Sequence, residues 1–349
     1  MAEKRELAGE LYLLGELDFT TGERTHLVKI GVVKENDEKN RSTEKRIKEH
    51  QTGNPRQIVE LEVLETPRVV RVETLMHQTY APWRVGGEWF DLSGDRYNEV
   101  LRTARSVIAD VTAGMATFEK AGELDKIAST GSELVATPES NDLVHQIAVA
   151  TLAEGVMKAV EDRAIEALAS AHDRGVNVGR YITFQMKKRS ASFDTARFKK
   201  DHPDLYGAFE SKSPSWSHSF IPVKPVKLGL DDSVVDPALL QLRDDIFNLA
   251  DQVEAGATAD EMHRKCLEIL AYRARYDLDG TAAVDALKAL CGTAPGIEGV
   301  CTWNRYENER SSFDAEAFQE QYPDLWQEYQ KPETTKPANV LTRDLGYRL

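Results

Sequence analysis

Over the first hundred residues the spacing of apolar positions changes several times, and each change marks an element. Glu10 to Leu14 is apolar with a tyrosine, Thr25 to Val33 reads THLVKIGVV, and the charged, turn-rich stretch between them predicts a β-hairpin. A polar loop follows at 36–40. Ser42 or Thr43 can then cap a helix running through Gln51, and Thr52-Gly53-Asn54-Pro55 stops it before an alternating strand over 57–65. Residues 67–80 read as a second helix. Gly86-Gly87 turns the chain into a short apolar segment over 88–92, and a helix follows over about 95–110. The order ββαβα, short strand, helix predicts an α/β (α+β) domain over 1–112, with a small mixed sheet flanked by helices.

From 113 to 140 the pattern breaks into short charged and Gly/Ser/Thr-containing pieces, which reads as a linker. Asp142 to His172 is rich in Ala, Val, Leu and Ile with Gly155 as its one breaker, and predicts a long helix with a broad buried face. Further helices are expected over 236–255 and 258–275, and an extended tail from Pro332. The region after 140 is therefore mainly helical, in two parts, 141–227 and 228–349. Each part contains one copy of a repeat: SFDTARFKKDHPDLYGAF at 192–209 returns as SFDAEAFQEQYPDLWQEY at 312–329, 120 positions later. Upstream, ITF at 182–184 and CTW at 301–303 correspond after a one-residue shift. Each copy predicts a strand, a turn in which Asp194 or Asp314 caps a helix, and a second helix at PDL, which makes it a small α/β unit.

Composition narrows the setting. A length of 349 residues suggests two or three domains at roughly 150 residues each. No run approaches the roughly 18 to 20 uninterrupted apolar residues of a membrane span, and MAEKRELAGELYLL lacks the ordered regions of a signal peptide, so a cytoplasmic protein is expected, of a prokaryotic cell or a phage-infected host. Cys266, Cys291 and Cys301 lack CxxC spacing and read as structural. The formal charge of -14 argues against a surface that binds DNA all over, but it leaves room for local basic sites. Cations gather at Lys39, Arg41, Lys45, Arg46 and Lys48, and again at Lys187, Lys188, Arg189, Arg197, Lys199 and Lys200.

The chemistry lies in three separated pieces, Leu11-Tyr12-Leu13, Lys29-Ile30-Gly31 and Arg46-Ile47-Lys48-Glu49-His50, followed by Glu73 with His77 and by GEWF at 87–90. Their order and spacing resemble the GIY-YIG nuclease superfamily, in the phage and bacterial branch that carries KIG for YIG, a QTGNP-like turn, an ExxxH pair and a final GEWF. The resemblance covers about 85 residues by this reading of the motif order. It implies metal-dependent hydrolysis of DNA phosphodiesters. Tyr12 would polarise or deprotonate the attacking water, Arg46 would hold the phosphate, and His50, one turn from Arg46, would orient or share the proton. Glu73 would bind one divalent cation, Mg²⁺ or Mn²⁺. Lys29 stands where the second tyrosine is usual, and an ammonium there donates to phosphate but is a poor base unless its proton is lost easily. His77 is a possible additional site residue. In the ordinary reading Tyr12 is core, Arg46 and Glu73 are solvated helix residues, and Trp89 and Phe90 are core.

The C-terminal repeats resemble a short segment of YqaJ-type phage recombination exonucleases. Lys187, Lys188 and Arg189, with Lys45, Lys48 and Arg56, are the candidate DNA contacts. The aromatic residues of the repeat read as a small core. The second copy replaces most of the cations, so it is not expected to touch DNA, and the acidic C-terminal region could instead dock on a protein. No Walker loop, GxSxG, HExxH or CxxC pattern is present. The competing reading is an inactive DNA-binding or protein-interaction module on the same scaffold.

Overall fold

Period-2 alternation sorts the side chains of the first strand onto two faces, and each face receives a different helix. The computed structural model describes residues 7–35, 42–52 and 54–346. The polar loop expected at 36–40, with Lys39, and also Arg41 and Gly53, lie outside the described residues. β1 (Gly9–Leu17) pairs with β2 (Arg24–Lys34) on one side and, after α1 (Thr43–Gln51), with β3 (Gln57–Thr66) on the other. Beyond α2 (Val69–Thr79), β4 (Arg84–Gly86) and β5 (Trp89–Asp91) complete a sheet of order β3-β1-β2-β5-β4. Its pairings are antiparallel, where a mixed sheet was expected, because every connection is a hairpin or returns the chain antiparallel to its neighbour. Leu11 and Leu13 join Val28, Ile30, Val72 and Met76 under α2 and α3 (Arg96–Ala113). Tyr12 and Leu14 face the other way, toward Ile47 of α1. Ser42 caps α1 by accepting from the Lys45 amide, as its sequence position predicts.

Helix makes up 51% of the described residues and strand 24%, in largely separate segments, so the class is α+β. Part of the stretch whose pattern weakens after residue 113 is a helix, α4 (Met115–Leu124). Its companion α5 (Pro138–Asp173) starts from a capping box between Thr137 and Ser140. By length and hydropathy α5 could cross a membrane, and its buried side chains from Ala153 to Ala171 lie in one core with α8 (Pro237–Glu254) and α9 (Asp260–Cys291). α9 runs well past residue 275, where the helix was expected to stop. A Cβ on Gly280 would come within 2.9 Å of the Ala150 Cβ, so this glycine is a close crossing of α9 on α5 and not a helix end. The sheet domain docks on α9 through Arg71, which bonds the Asp277 carboxylate and, at 3.0 Å, its carbonyl. Cys291 and Cys301 meet in the core with Sγ atoms 3.6 Å apart.

The two repeats interlock. In the first copy come β6 (Ile182–Thr183), β7 (Met186–Arg189), β8 (Ser192–Phe193), α6 (Thr195–Asp201), α7 (Pro203–Ala208) and β9 (Glu210–Pro222). After β10 (Gly296–Ile297) the second copy follows as β11 (Cys301–Phe313), α10 (Ala315–Gln321), α11 (Pro323–Glu328), β12 (Gln330–Lys331), β13 (Thr334–Pro337) and β14 (Val340–Leu341). Asp194 and Asp314 cap α6 and α10, as predicted. The leading strands of each copy pair with the trailing strands of the other: β6, β7 and β8 with β14, β13 and β12, and β11 with β9. Both ribbons share one register, since Phe193 faces Gln330 as Phe313 faces Glu210, and Ile182 faces Leu341 as Thr302 faces Ile221. The offset of 120 therefore runs through to Ile182 and Thr302 without the one-residue shift expected from ITF and CTW. The extended tail predicted from Pro332 is the outer strand of the first ribbon.

The tips close on a single aromatic core of Phe198, Tyr206, Phe318 and Tyr329, with Phe193, Phe313 and Trp326 packed on it. Contacts across it are reciprocal. Phe193 stacks on Trp326 at 4.5 Å as Tyr206 stacks on Phe313 at 5.1 Å, and the Asp194 amide bonds the Tyr329 carbonyl as the Asp314 amide bonds that of Phe209. At their bases the ribbons enter different cores. Ile182 and Leu341 join α5, α8 and α9, whereas Trp303 and Phe220 join the opposite ends of α5 and α9.

Candidate functional site

Tyr12 sits directly across from Gly31 in the β1–β2 pair, and the missing side chain there decides where the phenol lies. An ideal Cβ on Gly31 would fall 2.5 Å from the Tyr12 hydroxyl and 2.6 Å from Cζ, so the ring occupies the space that a side chain would take. This is the physical content of the glycine in KIG. Gly31→Ala is expected to displace the ring and lower stability by about 1–3 kcal/mol. Gly122→Ala, at a helical position with nothing near the new methyl, should be neutral or mildly stabilising in the same thermal unfolding series.

The displaced phenol points to α1. Its hydroxyl lies 3.4 Å from His50 Nε2 and within electrostatic range of Arg46, one turn earlier on the same helix face. Arg46 gives one guanidinium nitrogen to Glu49 at 2.7 Å, while its buried Nε has no hydrogen-bond partner among the described residues. Lys29, two residues before Gly31 and therefore on the same face of β2, is 6% exposed and donates to the Glu88 carboxylate. Glu73 comes from α2 and lies within electrostatic range of Tyr12 and Glu88.

Burial raises the Tyr12 phenol above its ordinary value, against the pull of Arg46. Burial, reinforced by the cations Lys29 and Arg46, lowers the His50 imidazole. Burial and then the neighbouring Glu88 push the Glu73 carboxyl up to about 7. Burial acts the same way on Glu88, but the bond from Lys29 and its charge outweigh it and hold Glu88 below the usual carboxylate range. The cluster thus places two carboxyls of opposed proton affinity beside a neutral imidazole and a buried phenol.

Tyr12, Lys29, Arg46, His50 and Glu73 are brought together, and Glu88 joins them. Glu88 was visible in the sequence only as part of GEWF, where the aromatic residues drew the attention, and Phe90 is indeed fully buried. His77 faces the sheet: its Nε2 is 2.9 Å from the Ile30 carbonyl and its ring packs on Phe90. Lys45 and Lys48 are exposed on α1. Arg56 is engaged at 2.9 Å by Glu16, which also accepts from Asn54, so it pins the start of β3 to the end of β1. Lys187, Lys188 and Arg189 are on β7, in the first ribbon. Among the described residues, no group of three or more His, Cys, Asp or Glu side chains could hold a metal ion.

The N-terminal domain is a phage-related nuclease-like or DNA-binding domain. Residues 11–108, 98 of the 349, match the T5orf172 domain, a phage-associated domain found in homing-endonuclease-like, GIY-YIG-related proteins. Searches of curated proteins and of solved structures gave no significant match.

Proposed function

We propose that this chain is a metal-dependent DNA endonuclease of phage or mobile-element context, hydrolysing phosphodiesters with a GIY-YIG-type site. The observation that carries the proposal is the meeting of Tyr12 from β1 with His50 and Arg46 from α1 beside the sheet, with Glu73 of α2 within electrostatic range. A phenol raised by burial is a weak base on its own, but a neutral imidazole stands 3.4 Å away. The attacking water would give its proton to the Tyr12 oxygen as the phenol proton passes to His50 Nε2, while the water oxygen bonds phosphorus and the leaving oxygen departs with the bond's electron pair and takes a proton from solvent. Arg46, with an unused buried Nε, would hold a phosphoryl oxygen. Lys29 donates to Glu88 and, in this reading, contributes charge and position.

Glu73 fits a divalent cation that takes one protein carboxylate and completes its shell with phosphate and water, as Mg²⁺ does and Mn²⁺ can. The buried, proton-hungry carboxyl beside a second carboxylate is relieved by a positive ion. When bound, the ion would supply charge to the phosphoryl oxygens.

The test is nicking of supercoiled plasmid with Mg²⁺ or Mn²⁺ by the full chain and by Tyr12→Phe. The expected result is metal-dependent nicking that falls about 10²- to 10³-fold in the variant, with unfolding unchanged. Binding of DNA without cleavage under any of these conditions would assign the chain to inactive DNA-binding scaffolds instead.

A further inference from the structure

The two ribbons are equivalent in backbone and opposite in chemistry. In the paired stretch of the first, Lys187, Lys188, Arg189, Lys331 and Lys336 stand against Glu333 alone; in the second, Lys212, Arg305 and Arg310 are matched by Glu210, Glu307 and Glu309. Directly opposed residues of an antiparallel pair share a face. Lys187 is opposite Lys336, and Arg189 is opposite Thr334, so three cations occupy one face. The other two cations of the ribbon are neutralised: Lys188 pairs with Glu333 at 3.0 Å and Lys331 with Asp194 at 2.9 Å. Lys187, Arg189 and Lys336 form no ion pair among the described residues, and like charges set directly across a ladder destabilise it. At the equivalent places in the second ribbon are Glu307 opposite Trp216 and Glu309 opposite Pro214, and there Trp216 is tied to the body by donating to the Asp125 carbonyl at 2.6 Å.

Every residue of β7 and β13 is exposed, so this part of the ribbon has solvent on both faces. A two-stranded ribbon without a buried face is marginal on its own. This one is held at its base by Ile182 and Leu341 and at its tip by Phe193. Phe184, which alternation puts on the face opposite the three cations, stacks on His172 of α5 at 4.2 Å and turns the cationic face away from the helices at that end. The result is a tethered strut with an unrelieved positive face.

We infer that the first ribbon is an arm that enters the major groove of duplex DNA, presenting Lys187, Arg189 and Lys336 to the phosphates that line it. The inference rests on the DNA-directed reading above and adds a second contact, remote in sequence from the nuclease-like domain. The fit is one of shape as well as charge. A B-form major groove about 12 Å wide admits a two-stranded ribbon. The exposed stretch from 183 to 192, at about 3.3 Å per residue, spans about 33 Å, close to one turn of duplex. The second ribbon, charge-balanced and anchored, would brace the shared aromatic tip. Lys199 and Lys200 are not required, and Lys199 is already paired with Glu210.

The test uses the full chain with EDTA, so that binding is read without cleavage, on a 30-base-pair duplex by fluorescence anisotropy across a salt series. The triple change Lys187→Ser, Arg189→Ser and Lys336→Ser should weaken binding about tenfold at physiological salt and reduce the slope of log K against log salt by about 2 to 3. Glu307→Gln with Glu309→Gln in the second ribbon should cause no loss. Thermal unfolding of the triple variant should match or exceed that of the unsubstituted chain, because a like-charge pair is removed. Unchanged affinity and slope in the triple variant would overturn the arm, as would an equal loss on a single strand of the same length. Plasmid nicking reads the nuclease separately: cleavage that persists with an unchanged salt slope rejects the arm alone, and absence of both cleavage and duplex binding rejects the two together.

Discussion

Glu73→Gln is expected to abolish plasmid nicking, by about 10²-fold or more, and at the same time to stabilise the metal-free protein above pH 7. The two effects share one cause. The Glu73 carboxyl is held at about 7 against an ordinary 4.5, chiefly by burial and then by Glu88, so the folded state prefers it protonated. Between pH 4.5 and about 7 the folded protein binds a proton that the unfolded chain has released, and the stability from this group is lost as pH rises through that window. The penalty at pH 8 is up to about 3 kcal/mol, at 1.36 kcal/mol for each unit of pKa. Glutamine carries no charge at either pH and escapes it. Thermal unfolding with EDTA should therefore show a higher Tm for Glu73→Gln at pH 8 and coincident curves near pH 4.5. Added Mg²⁺ should raise the Tm of the unsubstituted chain at pH 8 but not that of the variant. A gap that does not depend on pH would show that this carboxyl is not strained, and would remove the reason for placing a cation there.

Phe318→Ala should cost about 3–5 kcal/mol and loosen both ribbons together. Phe318 is fully buried and lies 4.7 Å from Phe198, its counterpart in the other copy, at the centre of the core that both copies build. Because each ribbon is made of one strand from each copy, neither copy can lose its helices without releasing a strand of both. Hydrogen exchange is the measurement: protection should fall in β7 and β13 as well as in β9 and β11. Loss confined to the ladder of β9 and β11 would show that the two ribbons are energetically independent, contrary to the shared core.

Much of the local structure around the candidate site is legible in the sequence. The hairpin of Tyr12 and Gly31, the helix that sets Arg46 and His50 one turn apart, and the helix of Glu73 all follow from local spacing and caps, and all formed as read. Glu88 is not legible in the sequence because its significance lies in meeting Lys29, 59 positions away, across the β2–β5 edge. Arg56 reads in the sequence as a cation after a turn, and the structure adds its ion pair with Glu16. In both cases the partner, and not the residue, determines the role.

The sequence by itself determined the α+β class, the elements around Tyr12, the aspartate caps of α6 and α10, and the existence of two copies at an offset of 120. These depend on periodicity and capping, which act within one or two turns of chain. The tertiary structure alone decided that the copies exchange strands, that α9 continues through Gly280, and that three cations share one unbalanced face of the first ribbon. A strand's alternation says which residues share a face but not which strand lies beside it. Pairing is set by closing long loops onto a common core, here the aromatic cluster at the ribbon tips, and that free energy belongs to the assembled chain and not to any segment of it.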